Sequence, residues 1–192
     1  MGSVLSFPRT LALVLLLGLG TWFALSDTRL EWYGALLPFF EWMETTVFGT
    51  IGKTWGGAFA VVQAAHLLSM AVLGGAVLVG DGRLLGLFMK EVPAAAVLEP
   101  CHRLFLWSLA VVVFTGVFMA CGVAVKVYYL EVFWFKMLSL GVGVLFALAI
   151  RRPLLQPDPD AVSRTVRSMV AIASIMIWFT VAATGRWIGF SG

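Results

Sequence analysis

The chain has 192 residues, of which 61% are hydrophobic and only 12% charged, with a formal net charge of +3. A soluble domain carries roughly 25% charged residues, so a water-soluble enzyme is excluded, and the absence of a basic run excludes a nucleic-acid binder. Hydrocarbon has to be the solvent, and irregular backbone or open sheet edges cannot face it, so the expected fold class is all-α, an integral membrane helical bundle.

Five apolar stretches are expected to span. The first, about Leu11 to Leu25, follows a short head with Arg9 and reads as an N-terminal anchor over 1–28, with Ala24-Leu25-Ser26 as a weak cleavage signal. Residues 29–56 form an interfacial aromatic segment. Trp32, Tyr33, Phe39, Phe40, Trp42 and Phe48 suit the headgroup boundary, and the pattern predicts interfacial helices broken at Pro38, an aromatic belt or a lid.

Residues 57–192 make a four-helix bundle. Its first span runs from about Gly57 to Gly80 and carries Gln63 and His66. Residues 81–103 are too polar to span and are expected to lie along the membrane surface. The next span, Leu104 to Val125, places Gly116, Ala120 and Ala124 at four-residue spacing, where a neighbouring helix can approach closely. Val132 to Ile150 follows, with Lys136 one turn inside, and Arg151-Arg152-Pro153 is expected to stop it. Asp158 and Asp160 read as solvated turn residues. The last span, Ser168 to Ile188, holds Arg186 near its end. Five spans take about 100 residues, which leaves no room for a separate catalytic domain.

With the N-terminus inside, Arg9, Arg83, Lys90, Arg103, Arg151, Arg152, Arg164 and Arg167 face the cytoplasm, against Arg29, Lys53, Lys126 and Arg186 outside. Eight against four orients the chain with its N-terminus in and its C-terminus out. Cys101 and Cys121 fall about 30 Å apart along one helix, beyond disulfide reach.

Ionisable groups at membrane depth are costly and mark sites. Gln63 and Met70 share the face of His66. His66 is read either as a histidine hydrogen-bonded to a neighbouring helix, as a heme or metal ligand, or as a group doing proton or quinone work. His102 lies near the level of Leu78 to Gly80, too far along the bundle for one iron to take both imidazoles. Met119 lies near the level of His66, and histidine with methionine is a heme axial pair. Lys136 and Arg186 either snorkel to the headgroups or neutralise an anionic group such as heme propionates. His66, Gln63, Met119, Lys136 and Arg186 are therefore the candidate cofactor-binding residues, with His66 the candidate metal ligand. Asp81 and Arg83 (DGRLLG) suggest a helix-end ion pair or corner. No HExxH, P-loop, CxxC or CxxCH motif is present.

The order VQAAHLLSMAVLGGAVLVGDGRLLGL, YYLEVFWFKMLSLGVGVLFAL and IMIWFTVAATGRWIGF resembles a bacterial family of small multi-span membrane proteins of unknown function. Its members share a His-bearing span, a DxRLLG-like corner, an FxxKM motif and a late Gly-Arg. The resemblance covers about residues 55–190 and implies that His66, Asp81, Arg83, Lys136 and Arg186 matter. This chain departs from it by lacking a histidine at the end of the fourth span. A looser similarity to four-helix membrane b-type cytochromes implies heme by analogy of fold.

These readings converge on a bacterial inner-membrane subunit that binds b-type heme or quinone for electron transfer in a larger complex. The alternatives are a non-catalytic anchor that docks other membrane or periplasmic subunits, and a transporter of a small solute or proton.

Overall fold

The computed structural model describes residues 28–156 and 158–191, together with Gly18 and Trp22. The expected first span and its cleavage signal lie, those two residues aside, outside the described part. All the regular structure among the described residues is helical: α1 (Thr28–Thr45), α2 (Val47–Thr54), α3 (Gly56–Leu85), α4 (Ala94–Gly122), α5 (Ala124–Tyr128), α6 (Glu131–Leu145), a π-turn (Phe146–Arg151), α7 (Arg152–Leu155), a 3₁₀ turn (Pro159–Ala161) and α8 (Arg164–Ile188). Four helices are long and apolar enough to cross a membrane: α3, α4, α8 and the run Glu131–Leu155. Their outward faces are apolar, with Leu68, Trp107, Phe114, Leu138 and Phe179 all exposed, which is the surface of a membrane protein.

Several boundaries differ from the sequence expectation. The break in the aromatic segment falls at Thr46 rather than Pro38, which sits inside α1. The Thr46 hydroxyl accepts the Gly49 N–H at 3.2 Å, so a helix N-cap starts α2 there. The span carrying His66 runs through its glycines to Leu85 and ends at Gly86, whose φ of 71° is the left-handed conformation of a helix C-cap. Residues 81–103 do not lie on a surface. Their second half opens α4, which continues through the exposed Pro100, where the missing N–H costs least. Arg151-Arg152-Pro153 does not stop the fourth span: the π-turn carries it on to Leu155, with Pro153 in the first turn of α7.

α3 packs antiparallel on α4 and also against α8, and α8 packs on α6. Leu73, Val77, Phe105, Ala147, Trp178 and Val181 fill the middle of the bundle. Leu84, Val97, Leu98, Leu155, Val170 and Ala171 fill the end that carries the arginines. At the opposite end α2 crosses α4 so closely that a Cβ added to Gly52 would lie 3.0 Å from the Gly122 Cα. The short α1 leans on α5 through reciprocal tyrosines. The Tyr33 hydroxyl donates to the Tyr128 carbonyl at 2.9 Å, the Tyr128 hydroxyl donates to the Tyr33 carbonyl at 2.5 Å, and the rings stack 4.4 Å apart. Nearby, Glu44 accepts the Val125 N–H at 2.8 Å and pairs with Lys53.

The DGR corner works differently from a local ion pair. Asp81 is fully buried, and its Oδ1 accepts Nε of Arg151 at 3.0 Å and a terminal N–H at 2.7 Å. Arg83 turns away and donates two hydrogen bonds to the Val92 carbonyl, at 2.9 and 2.7 Å. Asp160, expected as a solvated turn residue, instead caps α4: one oxygen accepts the Ala94 N–H at 2.9 Å, and the other pairs with Arg167 at 2.7 Å and lies 3.7 Å from Arg83. That orphan N–H at the start of α4 needs an acceptor, and the positive end of the helix favours a carboxylate there. Cys101 and Cys121 are both free thiols, as their spacing required.

Two predictions follow from these polar ties. Asp81→Ala strands a buried guanidinium and lowers stability by about 3–5 kcal/mol, whereas the double change Asp81→Leu with Arg151→Met recovers most of it; thermal unfolding in detergent compares them. The Ala94 N–H holds the Asp160 carboxyl below the ordinary value of 3.8; partial burial pushes the other way, and Arg83 and Arg167 add to the lowering. A depressed carboxyl stabilises the fold fully above 3.8 and loses that contribution as pH falls through its lower folded value. Unfolding temperature in the wild type therefore drops in this acid range, and the drop flattens in Asp160→Ala.

Candidate functional site

Between the four long helices lies a cavity of about 580 Å³. That volume falls within the roughly 300–1,000 Å³ typical of small-molecule sites. α3 contributes His66, Met70, Leu73 and Val77, and α4 contributes Val112, Gly116 and Ala120. α6 supplies Phe133, Trp134, Lys136 and Met137, while Ile175 and Trp178 come from α8. Leu36, Phe39, Phe40 and Met43 of α1 also line it, so the interfacial helix roofs the cavity. Trp134 holds that roof in place by donating its indole N–H to the Tyr128 carbonyl at 2.8 Å.

The lining is apolar with two exceptions, His66 and Lys136, the only titratable side chains among the lining residues. His66 is buried, at 5% exposure. Its Nδ1 lies 2.8 Å from the Thr115 hydroxyl oxygen. Thr115 gives its own proton to the Val111 carbonyl at 2.6 Å, as threonines inside helices do. The hydroxyl therefore has a lone pair to offer, and the network assigns the imidazole proton to Nδ1. Nε2 is then a bare acceptor on a side chain that faces the cavity. Gly116 makes room for the ring: a Cβ there would lie 3.4 Å from the imidazole Cε1.

Lys136 makes no hydrogen bond or ion pair among the described residues. Its stem crosses Gly185, where an added Cβ would lie 3.4 Å from both Cε and Nζ. The FxxKM motif and the late Gly-Arg thereby acquire a shared meaning. Phe133, Lys136 and Met137, at i, i+3 and i+4, face the cavity together, and the glycine clears the way for the lysine.

The other expected site residues do not join them. Gln63 is exposed on the outside of α3, and Met119 is half-buried on α4 beyond the cavity lining. The His66 ring meets α4 at Thr115 and Gly116, one turn short of Met119. Arg186 is exposed, with its guanidinium 4.4 Å from the centre of the Phe190 ring, the arrangement of a snorkelling cation. His102 sits at the arginine-rich end, where its neighbour Cys101 lies 3.6 Å from a Cβ on Gly80. Gly80 is fourteen residues past His66, about 21 Å along the helix, so the two imidazoles serve separate places. The described residues contain no group of three or more His, Cys, Asp or Glu side chains able to hold a metal ion.

Sequence reasoning missed Thr115, Met43 of the roof and the Arg151 partner of Asp81, while it named Phe39 and Phe40 as part of an aromatic belt or a lid. The first had only a weak signal, a hydroxyl in an apolar span. Thr115→Val removes the hydroxyl acceptor and leaves the imidazole only the Val112 carbonyl, at a cost of about 1 kcal/mol. Thermal unfolding measures that loss, and Thr115→Ser restores most of the stability.

Residues 39–191 match a family of unknown function (DUF6644). No curated protein and no solved structure matches the chain.

Proposed function

The chain belongs to this family of unknown function, and we propose that it is an integral membrane subunit whose cavity receives a quinone and serves electron transfer within a larger complex. The single observation behind this reading is the pairing of His66 and Lys136 in an otherwise apolar chamber. A quinone ring is flat and apolar, with oxygens at opposite edges. The Lys136 ammonium donates to a quinone carbonyl, and the bare Nε2 of His66 accepts an O–H of the quinol. One donor and one acceptor thus bind both redox forms, and the proton that distinguishes the forms sits beside a histidine. Desolvation strengthens both contacts, because an apolar lining offers few competing hydrogen-bond partners.

A second reading, a b-type heme, draws on the same imidazole. Metal-bound histidines donate their other ring N–H to a fixed acceptor, and Thr115 is such an acceptor. His66, with Met43 or Met137 of the cavity wall, would hold the iron, and Lys136 would neutralise a propionate. Bound there, the heme would supply one-electron chemistry; the chain supplies the ligand, the apolar wall and the counter-charge. The alternative of a pure assembly anchor loses one support, because Gly116 and Ala120 face inward on this cavity and offer no docking face.

The arginine-rich end of the bundle supports an orientation with that end, and the N-terminus, in the cytoplasm of a bacterial inner membrane. The cavity then lies toward the outer side, where a periplasmic or membrane partner would exchange electrons with it.

Organic extraction of the protein purified in mild detergent should yield close to one quinone per chain. His66→Ala should weaken quinone binding by at least about tenfold while Gln63→Ala and Met119→Leu leave it unchanged. A Soret band abolished by His66→Ala would establish the heme reading instead. A colourless preparation that neither carries nor binds quinone would reject both.

A further inference from the structure

Four long helices surround the cavity, and three of the seams between them are closed by packing. α3 meets α4 where His66 reaches Thr115 and Gly116. α3 meets α8 through Leu73 and Val77, which share a core with Trp178 and Val181. α6 meets α8 so closely that a Cβ added to Gly143 would lie 3.1 Å from Ile177 and 3.2 Å from Trp178. The fourth seam is different. Among the described residues α4 and α6 hardly touch along their lengths. Val113 and Val117 of α4 and Met137 of α6 line the chamber from either side of this seam. They are also 44%, 48% and 37% exposed, so they border the chamber and the outside at once. Leu78 and Phe179 reach outward from the lining too, but there α3 and α8 are packed on each other.

The seam stays open for two reasons. At its outer end α5 separates the two helices, and Phe40 of α1 sits in one cluster with α5 and with Phe133 and Trp134 of α6. Inward from there α4 presents Gly116 and Ala120 to the chamber, side chains too small to fill the space. The end of the chamber that meets water is covered by Phe39, Phe40 and Met43, and beyond the other end Phe105 and Ala147 belong to the packed core. The opening these residues describe therefore leads sideways, at mid-helix, where hydrocarbon surrounds the bundle. A polar solute arriving from water gains nothing from such an opening. A ligand with a polar head for His66 and Lys136 and a hydrocarbon chain uses it, because the chain stays in lipid while the head is held inside.

Resting on the quinone reading above, we propose that the chamber opens to the bilayer between α4 and α6, and that its ligand is a quinone with a long hydrocarbon tail that lies in this seam. The quinone enters from the membrane, and its ring is held by His66 and Lys136. The carbon that bears the tail points to Val113, Val117 and Met137. Passage asks little of the walls, since Met137 is unbranched and flexible and can turn aside without moving a helix. Access is thereby restricted to ligands already dissolved in the membrane.

The test maps the tail directly. A benzoquinone with a long isoprenoid tail carries a photoreactive diazirine on the first unit of that tail. It is bound to the full chain in lipid nanodiscs and illuminated, with and without an excess of the same quinone lacking the diazirine. Mass spectrometry of peptides locates the label. Labelling that the excess suppresses by at least about tenfold should fall on residues 113–117 and 133–138. Competed labelling at the α3–α8 seam, on residues 74–78 and 179–182, overturns the proposal and leaves the quinone reading standing. Competed labelling on residues 11–25 with the α4–α6 seam unlabelled has the same force, because the chain's own first apolar stretch then fills the seam. His66→Ala should lower the seam labelling by at least about tenfold. Lys136→Met takes its place if that variant fails to fold, as judged by its unfolding temperature. Seam labelling that persists undiminished in the variant overturns both readings, as does the absence of any competed labelling in the wild type.

Discussion

Four helices long and apolar enough to cross a membrane leave a polar side chain at mid-helix with few partners other than groups of the chain itself. That constraint organises the bundle. Asp81 answers Arg151 and, beside it, faces the Ser174 hydroxyl. His66 answers Thr115 with one nitrogen. Arg83 answers a carbonyl and Asp160 an orphan N–H. Except for Arg83, whose bond reaches only nine residues on to Val92, these ties join segments distant in the chain, so the polar groups help fix which helix lies beside which, a task that nonspecific apolar packing performs poorly in lipid. Among the described residues three buried atoms lack a partner, Asp81 Oδ2, His102 Nε2 and Arg167 Nε; at the cavity, Nε2 of His66 and the ammonium of Lys136 make no hydrogen bond either. Both border an apolar chamber, and both are what a ligand would satisfy.

The two ends of the bundle divide the work. At the arginine-rich end, apolar packing around Leu84 and Ala171 is dense, and the buried ion pair sits just above it. At the other end the helices diverge and the space between them is roofed by α1, held through the reciprocal tyrosines and the Trp134 indole. A roof made of aromatic side chains on a short helix suits a place that has to stay apolar underneath while meeting headgroups above. Its attachments, to α2, α4, α5 and the start of α6, all lie at this end of the bundle.

The fold was largely legible before any coordinates. Span number within the described part, the helical class and the reach between the two cysteines followed from hydropathy and helix rise alone. The errors came where local signals compete with tertiary ones. Pro38 looked like a break yet lies within α1, and residues 81–103 looked like a surface segment, yet their second half belongs to a helix whose N-terminus Asp160 caps from sixty-six residues away. Asp160 itself, flanked by prolines, looked solvated because its partners Ala94, Arg83 and Arg167 are not its sequence neighbours. At the site, His66 and Lys136 were visible as costly residues in apolar runs. Gln63 and Arg186 were equally visible and face outward, since which way a side chain turns on an almost uniformly apolar helix leaves no mark in its periodicity. Thr115 was the reverse case: its importance lies in a lone pair that becomes available only because its proton is already committed to Val111.

The π-turn at Phe146–Arg151 has a bearing on how sequences of this kind drift. A turn of that type accommodates one residue more than an α-turn, so it amounts to a one-residue insertion absorbed without breaking the helix. The insertion sets the angular phase of everything after it, and that phase is what aims Arg151 rather than its neighbour at Asp81. Removing one residue between 146 and 150 would straighten the helix and leave Arg151 aimed at Asp81 as before. The bond to Asp81 can therefore survive a change of chain length at this point, because the π-turn and the α-turn deliver the same arginine to the same face.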